Sequence, residues 1–300
     1  MLKSLDAILA AAEAKGGNKK IAVAAAHDPE VLAAIKDAEE RGLATAILVG
    51  DAKKIRQAAA QVNFDLKRAE IVDEPTPGGA ARKAVALVRC GQAQMLMKGL
   101  LNTADLLRAV LDKEIGLRTG RVLSHVAIME PQGYGRLLLM TDGGMNIAPD
   151  LKQKAQLIEN AVEIAHKLGI ECPKVAVITA FEQVNPDMPA TMDAALLAKM
   201  ADRGQIKNCL VDGPLALDGA VSMEAANHKG IKSPVAGQAD ILLVPAIEVG
   251  NVVYKTLIYL GKGKIAGIIA GAAAPIILTS RSDSAEAKLH SIATAVLMAE

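Results

Sequence analysis

Short apolar stretches alternate with longer stretches of helical period along most of the chain. The first part contains, in order, KKIAVAAA, DPEVLAAIKDAEERG, ATAILVG, DAKKIRQAAAQV, AEIVD, GGAARKAVALVRCG, AQMLMKG and TADLLRAVLDKE. A short stretch that is apolar at successive positions is typical of a strand buried on both faces, and apolar residues every three or four positions are typical of an amphipathic helix. The pattern therefore predicts βαβ units and a doubly wound, mostly parallel sheet with helices on each side.

The alternation is interrupted once, where RVLSHVAIME and GRLLLMTDG are joined by the turn-rich segment PQGYG. Two apolar stretches around such a turn predict an antiparallel hairpin. Beyond it the alternation resumes and ends in an amphipathic helix that needs a surface to pack on. We therefore expect one α/β domain from residues 1–128 with 272–300 and a second from residues 129–271, with a cleft between them.

Composition narrows the class of protein. Hydrophobic residues make up 51% of the 300 positions, but charged residues interrupt every apolar segment well before the roughly 20 residues that a membrane span needs. The chain has no Trp and few other aromatic residues, which argues against stacking on nucleic-acid bases. Its 34 basic and 33 acidic side chains are spread evenly and give a net charge of +1. These features predict a soluble protein whose partner is a small molecule, with no nucleic acid and no membrane.

The cysteines and the amino terminus indicate a reducing compartment. Cys90, Cys172 and Cys209 are far apart and odd in number, so the sequence suggests neither a disulfide framework nor a zinc site. The start MLKSLDAILAAAEAKGG has charges within its apolar face, which is typical of an amphipathic helix rather than of a secretory signal. We expect a cytoplasmic protein.

The segment PIILTSRSD contains a candidate anion site. Ser280 and Arg281 follow a predicted strand, and Asp283 or Ser284, with Glu286, resembles the cap of the last helix. A helix amino terminus and a guanidinium both favour phosphate oxygens, and ligands of open α/β sheets lie at strand carboxyl ends. The alternative is that Ser280 and Arg281 only end the strand, with the arginine in a surface ion pair and Asp283 as a capping acid.

Other polar residues follow predicted strands and have two interpretations each. Gly250 and Asn251 are expected at a strand-to-helix turn, where Asn251 either caps its helix or contacts a ligand. Asp212 is expected at a strand end, and Asp142 and Asn146 in a glycine-bearing loop, where each either holds the loop or contacts substrate.

Lysine and histidine side chains give weaker signals. Lys98 ends a predicted strand and is either a phosphate ligand or a surface lysine. His125 is interpreted as a core or boundary residue rather than a general base, and His27 as part of a helix start that could face the cleft. Three further histidines lie in helical patterns and are expected in solvent: His166, His228 and His290.

Several long segments, in order, resemble one family. They are KGLLNTADLLRAVLDKEIGLRTGRVLSHVAIME, TDGGMNIAPDLKQKAQLIENAVEIA, SPVAGQADILLVPAIEVGNVVYK and APIILTSRSDSAEAKLHSIA. They are similar to the phosphate acetyltransferase and phosphate butyryltransferase family, most of all to its butyryl branch. The resemblance implies two α/β/α domains of the isocitrate or isopropylmalate dehydrogenase type, an active site in the interdomain cleft, and a homodimer or larger homo-oligomer. It also implies reversible acyl transfer between coenzyme A and inorganic phosphate as substrates, with no metal and no cofactor.

The resemblance also implies roles for particular residues. The family's serine and arginine fall on Ser280 and Arg281, where the serine orients the thiol of coenzyme A and the arginine stabilises phosphate and the developing oxyanion. Fixed donors of this kind are worth ~3 kcal/mol each. The other positions implied to bind substrate or phosphate are Thr279, Asn251, Gly250, Lys98, Asn146, Asp212 and Glu248.

Three departures separate this chain from the acetyl-type pattern. The aspartate proposed there as thiol base, seven positions after the serine, is Ala287 here, so the base is unassigned. An arginine associated with coenzyme A in those relatives falls at Tyr259, so Lys262 or Lys264 is implied to bind its phosphates instead. The implied coenzyme A residues are thus Tyr259, Lys262 and Lys264. An asparagine in the strand-end loop is Glu248, and a Ser/Gly-rich loop is replaced by FEQVNPDMPATMD. These changes favour a longer acyl chain.

Three other functions stay open at this point. A phosphate acetyltransferase would act on acetyl-CoA. An NAD-dependent decarboxylating dehydrogenase could use the same fold, but it would need a carboxylate cluster for a divalent metal and a nicotinamide site, which GKGKIAG matches poorly. A non-catalytic acyl-CoA binding protein would bind its ligand without turnover.

Overall fold

A computed structural model describes residues 1–16, 19–67, 69–280 and 283–299. In chain order its elements are α1 (Leu5–Lys15), β1 (Lys20–Ala24), α2 (Pro29–Glu40), β2 (Thr45–Gly50), α3 (Ala52–Gln61), β3 (Glu70–Asp73), α4 (Pro77–Arg89), β4 (Met95–Lys98), α5 (Thr103–Val110), β5 (Ser124–Glu130), β6 (Leu138–Thr141), α6 (Leu151–Lys167), β7 (Lys174–Ile178), α7 (Pro189–Asp202), β8 (Leu210–Leu215), α8 (Leu217–Val221), α9 (Met223–His228), β9 (Ile241–Leu243), α10 (Ile247–Tyr259), β10 (Lys264–Ala270), β11 (Ile276–Ile277) and α11 (Ala285–Met298).

Contacts between Cα atoms divide the chain into two compact units. The central unit is Met1–Ser4 with Val122–Ile265, and the terminal unit is Leu5–Arg121 with Ala266–Glu300. The sequence analysis expected the domain limits to fall after residues 128 and 271. Those limits stay a prediction. Each described helix is too short or too polar to cross a membrane.

The terminal unit contains a sheet in the order β3-β2-β1-β4-β11-β10. All of these neighbours are parallel except β10 and β11, which are antiparallel. Most residues of β1, β2 and β4 are buried, as expected for strands covered by helices on both faces. The predicted α/β class with a mostly parallel sheet is confirmed in this unit.

Local capping explains where the first helices begin. The side chain of Asp28 accepts a hydrogen bond from Glu30 N at the start of α2, and Pro29 occupies the first turn. Asp51 accepts from two backbone amides at the start of α3. Such side chains accept hydrogen bonds from backbone amide groups that have no partner within the helix. They start each helix within a few residues of the preceding strand.

The central unit has a sheet in the order β5-β6-β9-β7-β8. β5 and β6 form the predicted antiparallel hairpin, and the other neighbours in the sheet are parallel. The short helices α8 and α9 lie between β8 and β9, where the sequence pattern predicted none. A helix this short has too few turns to produce a clear period.

Candidate active site

The carboxyl ends of β1, β4 and β11 lie side by side in the terminal unit. The register pairs Ala24 with Lys98, and Ile277 with Met97. Lys98 is 7% exposed, and its Nζ donates to Gly99 O at 3.3 Å. The alternative that Lys98 is a surface lysine is therefore wrong. We refer to Lys98, Gly99, Thr279 and Ser280 as the Ser280 edge.

Gly99 holds β1 and β4 close together at this edge. Its amide donates to Ala24 O at 2.8 Å, and the amide of Leu100 donates to Ala25 O at 2.8 Å. A Cβ atom on Gly99 would lie 2.3 Å from Ala25 O, which is far inside van der Waals contact. Only glycine fits without a backbone shift, and the position of the neighbouring Lys98 depends on that fit.

Ser280 follows β11 and is hydrogen-bonded to Asp283. Thr279 is buried and Ser280 is half-buried. The amide of Ser280 donates to Asp283 Oδ2 at 2.7 Å, and the amide of Asp283 donates to Ser280 O at 3.2 Å. Arg281, the other residue of the predicted catalytic pair, lies outside the described residues. The two bonds fix the backbone of Ser280.

The last helix begins at Ala285, so the expected capping box is wrong. Ser284 is the N-cap, and its Oγ accepts from the amide of Ala287 at 3.2 Å. Glu286 is thus the second helical residue and Ala287 the third, which is where a capping-box acid would stand. Asp283 lies before the cap, and its carboxylate accepts a hydrogen bond from the amide of Ser280 instead.

Asp142 organises a loop of the central unit, residues 142–147, which we call the Asp142 loop. The carboxylate is 1% exposed and accepts four hydrogen bonds. They come from Gly144 N at 2.8 Å, Met145 N at 2.9 Å, His125 N at 3.0 Å and Asn146 Nδ2 at 2.6 Å. This arrangement favours the interpretation that Asp142 holds the loop.

Asn146 belongs to the same network. Besides Asp142 Oδ2, its Nδ2 atom also donates to Leu123 O at 2.9 Å. Both amide protons are therefore engaged within the central unit. A contact from Asn146 to substrate would use its oxygen or require a rearrangement of the loop.

The start of α10 packs directly on the Asp142 loop. A Cβ atom on Gly250 would lie 2.6 Å from Gly143 Cα, and one on Gly143 would lie 2.8 Å from Gly250 C. Ile247 N donates to Ile147 O at 3.0 Å. The role of Gly143 was missed from the sequence, where the paired glycines of TDGG are the signal that could have indicated a close approach.

This packing corrects the expected position of Asn251. The helix begins at Ile247 with Ala246 as N-cap, so Asn251 is an exposed residue inside α10 and does not cap it. Glu248 is exposed in the first turn, and Gly250 is buried. The structure thus brings Asn146, Glu248, Gly250 and Asn251 to one region of the central unit, although the expected turn at Gly250 is wrong.

Asp212 lies within a strand rather than at its end. β8 continues through Gly213 and Pro214 to Leu215, and Asp212 Oδ1 accepts from the Gly213 amide at 2.8 Å. β8 is the last strand in the order of its unit, where proline is tolerated because only one side of the strand needs a partner. The expectation that Asp212 and Gly213 lie at a strand end is therefore wrong.

The residues predicted to bind coenzyme A lie around the end of α10. Tyr259 is the last helical residue and is 59% exposed, with Lys255 Nζ 5.7 Å from its ring centroid. Lys262 and Lys264 line a pocket of about 600 Å³ in the central unit. Tyr259 is not among the residues that line it.

The histidines differ in their surroundings. Burial lowers the pKa of His27, and the positive charge of Lys54 lowers it further. The ring of His125 lies beside Gly144, in the Asp142 loop. His290 is 2% exposed, so the expectation that it is solvated is wrong; α11 packs on α1, and His290 Nε2 lies 3.3 Å from Asp6 Oδ1.

One group of described side chains has the composition of a metal site. Ligand atoms of Asp6, Glu286 and His290 lie within 4.8 Å of one another. The two carboxylates are exposed and stand in the first turns of α1 and α11, where the helix dipoles favour negative charge without any cation. The dipoles and the Asp6–His290 contact account for this arrangement.

The cysteines are all unpaired, with Cys90 and Cys172 exposed. Burial raises the pKa of the Cys209 thiol to about 11, and the neighbouring Cys172 and Glu159 add to the shift. A thiol that stays protonated is a weak nucleophile. Cys209 is therefore unsuited to form a covalent acyl intermediate.

Comparison with known proteins gives consistent matches along the whole chain. The family model described as "Phosphate acetyl/butaryl transferase" matches residues 5–79 and 74–296. A phosphate butyryltransferase of Clostridium acetobutylicum is 54% identical over 299 residues, which are 100% of this chain and 99% of that protein. A phosphate acetyltransferase of Thermotoga maritima is 47% identical over 95% of this chain and 97% of that protein. The crystal structure of a branched-chain phosphotransacylase from Enterococcus faecalis V583 has a TM-score of 0.82 at 37% identity, covering 94% of this chain and 100% of that one.

Proposed function

Because this chain belongs to the phosphate acetyl/butyryl transferase family and is an acyltransferase, we propose that it transfers a butyryl group reversibly between coenzyme A and inorganic phosphate. The single observation that carries the choice of acyl group is the 54% identity to a phosphate butyryltransferase over the full chain. Acetyl-CoA is the second candidate substrate, because a phosphate acetyltransferase is 47% identical over nearly the same length.

The proposed chemistry is a direct exchange at the acyl carbonyl. In one direction a phosphate oxygen attacks the thioester carbon, the C–S bond breaks, and coenzyme A leaves as the thiolate, which then takes a proton. In the other direction the thiolate attacks butyryl phosphate and phosphate leaves. Both directions pass through a carbonyl oxygen that gains negative charge, so fixed cations and hydrogen-bond donors lower the barrier.

Ser280 and Arg281 are proposed as the catalytic pair. The hydroxyl of Ser280 would orient the sulfur, and the guanidinium of Arg281 would bind phosphate oxygens and the developing oxyanion. Two features support this role for Ser280: it follows a strand carboxyl end beside the buried Lys98, and its backbone is fixed by Asp283. Lys98 and Thr279 are proposed to contact phosphate at the same edge.

The central unit is proposed to supply further contacts to substrate. Asn146, Glu248, Gly250 and Asn251 lie around the packed Asp142 loop. We keep Asp212 as a candidate through its second carboxylate oxygen, since Oδ1 accepts from Gly213. We propose that the reaction uses no metal or redox cofactor: acyl exchange changes no oxidation state, and coenzyme A and phosphate enter as substrates. Four further points remain proposals from the sequence. They are an active site in an interdomain cleft, a dehydrogenase-like pair of domains, a homo-oligomer and a cytoplasmic location.

Substrate preference is tested by phosphate-dependent release of free thiol. Initial rates are measured with acetyl-, propionyl-, butyryl- and isobutyryl-CoA, each with and without inorganic phosphate. We expect butyryl-CoA to give a higher kcat/KM than acetyl-CoA, and no release without phosphate. Equal activity on acetyl-CoA would transfer the assignment to the acetyl branch, and binding without release from any of the thioesters would favour a non-catalytic acyl-CoA binding protein.

Direct transfer is tested by intact-protein mass spectrometry. The protein is incubated with butyryl-CoA in the absence of phosphate, and we expect no stable increase in mass, because the raised pKa of the half-buried Cys209 thiol makes it a weak nucleophile. A trapped butyryl adduct would contradict direct exchange and would identify the residue that carries the acyl group.

A further inference from the structure

Lys288 of α11 carries a charge in the interior of the terminal unit. Its side chain is 2% exposed, which makes it one of the largest fully buried side chains of the described residues. Its Nζ atom donates to the backbone carbonyl oxygen of Asp283. Lys154, a buried lysine of the central unit, instead donates to the carboxylate of Asp193 at 2.6 Å. Because a carbonyl group has no net charge, it compensates the burial of an ammonium group less well than a carboxylate does.

The position of Lys288 in its helix adds to this cost. Lys288 is the fourth residue of α11, and its amide donates to Ser284 O at 3.1 Å. The amino end of a helix carries partial positive charge, which favours acidic rather than basic side chains. Replacing buried charged side chains by apolar groups of similar volume is often neutral or stabilising. Stability alone therefore does not explain a lysine at this position.

Hydrogen bonds connect Lys288 to the Ser280 edge. Side chains of a helix lean towards its amino end, and this direction brings the ammonium group of Lys288 to Asp283. Asp283 holds Ser280 in two ways: its Oδ2 atom accepts from the amide of Ser280 at 2.7 Å, and its own amide donates to Ser280 O at 3.2 Å. A hydrogen bond from a charged donor is roughly twice as strong as one between neutral groups. The ammonium group thus fixes the residue that fixes Ser280.

We propose that Lys288 is a positioning residue for the acyl transfer: its buried ammonium group holds the backbone of Asp283 and, through Asp283, sets the position of Ser280. The proposal rests on the function proposed above, in which the hydroxyl of Ser280 orients the sulfur of coenzyme A. Because Lys288 is buried, it acts on the substrate through Ser280. A displacement of about 1 Å at a reacting group can lower a rate about 100-fold, so a residue outside the site can control turnover.

The first test replaces Lys288 by a side chain of similar shape without charge. Lys288→Met keeps an unbranched chain of similar volume and removes the ammonium donors. The kcat for butyryl phosphate formation should fall about tenfold, while KM for butyryl-CoA stays within about twofold, because the contacts that bind the substrate are retained. A rise in KM with an unchanged kcat would contradict a positioning role.

The matched control removes the buried lysine of the central unit. Lys154→Met breaks the ion pair with Asp193 and should lower the thermal midpoint, but its kcat should stay within about twofold of the unaltered protein. If Lys154→Met lost as much kcat as Lys288→Met, the loss would follow from removing any buried charge, and the proposal would be wrong.

A double-mutant cycle tests whether Lys288 acts through Ser280. In the background of Ser280→Ala, the hydroxyl that Lys288 positions is absent, so Lys288→Met should lower kcat by less than a further factor of about two. A full tenfold loss in that background would show that Lys288 acts independently of Ser280, and it would overturn the proposal while leaving the acyltransferase function intact.

A second variant tests the same connection without altering a buried residue. Asp283 is half-buried, and Asp283→Ala removes the carboxylate that accepts from the Ser280 amide. Its kcat should fall about as much as that of Lys288→Met, about tenfold. An unchanged kcat in Asp283→Ala would contradict the proposal even if Lys288→Met did not fold.

Hydrogen exchange followed by mass spectrometry tests the proposal without turnover. The peptide that contains Ser280 should lose protection in Lys288→Met, because the bond from its amide to Asp283 is weakened, and it should keep its protection in Lys154→Met. Equal protection in the two variants would contradict the positioning role. If the unaltered protein formed no butyryl phosphate, the proposed function would fail, and the exchange measurement would still decide whether Lys288 fixes Ser280.

Discussion

The Ser280 edge and the Asp142 loop are both built from polar residues near strand ends, but they use their polar groups differently. At the edge, the backbone of Ser280 is bonded to Asp283: its amide donates to the carboxylate, and its carbonyl accepts from the amide of Asp283. In the loop, the carboxylate of Asp142 accepts four hydrogen bonds from its own surroundings. The comparison indicates that substitutions at the edge change turnover first, whereas substitutions in the loop change stability first.

Arg281→Gln should have the largest effect on turnover. Removing the guanidinium would leave the developing oxyanion without its proposed cation, and kcat with butyryl-CoA should fall by more than about tenfold, since such a contact is worth ~3 kcal/mol. Initial rates at saturating substrate measure the change. Arg203→Gln, at the exposed end of α7, is the control and should retain full kcat. A retained kcat in Arg281→Gln would contradict the catalytic role.

Asp142→Asn should act on stability. Four N–H donors would face a side chain that has one acceptor oxygen and two donor protons of its own, so the free energy of unfolding should fall by about 2–4 kcal/mol. Urea unfolding measures this change in the free energy of unfolding. The control Asp202→Asn, whose side chain is 63% exposed, should change it by less than about 0.5 kcal/mol. Near-equal midpoints for the two variants would show that the loop does not depend on its buried carboxylate.

Gly99→Ala should affect both turnover and stability, each to a smaller extent than the two preceding variants. A Cβ atom 2.3 Å from Ala25 O forces β1 and β4 apart, which should lower the free energy of unfolding by about 1–3 kcal/mol and displace Lys98. Gly78→Ala is the matched control in the same unit, because a Cβ there would meet nothing within 4 Å. It should be neutral or slightly stabilising. If both variants had the same stability and the same KM for phosphate, the close approach at Gly99 would have no functional consequence.

His27→Asn should have the smallest effect, confined to acid pH. Since the pKa of His27 is lowered in the folded protein, the unfolded chain binds the proton more readily, and stability falls as pH decreases below the ordinary value of 6.5. The variant should lose less stability over that range than the unaltered protein. Urea midpoints on either side of pH 6.5 measure the difference. An identical pH dependence of the urea midpoint in the two proteins would contradict this role of His27.

The sequence predicted the elements whose signals are local. Alternating apolar stretches predicted the parallel strands β1, β2 and β4, and a turn-rich segment predicted the β5–β6 hairpin. Long motifs identified the family. In each case the information lies within a short window of residues or in several windows in fixed order.

The errors arose where contacts distant in sequence decide the local structure. Gly250 resembles a turn residue, but it is helical because α10 must approach Gly143 closely. His290 resembles a solvated helix residue, but α1 covers it. Lys98 resembles a surface lysine as much as a buried one, and the strands on either side of β4 determine which it is. A sequence pattern carries no information about which surface covers a residue.

The most direct test of the central claim is the rate of butyryl phosphate formation from butyryl-CoA and inorganic phosphate, followed by phosphorus NMR for the unaltered protein, Ser280→Ala and Arg281→Gln. The account predicts that the unaltered protein forms butyryl phosphate with one equivalent of free coenzyme A, and that both variants form it much more slowly with their folding intact. Formation at the same rate in all three proteins, or none in the unaltered protein, would contradict the account.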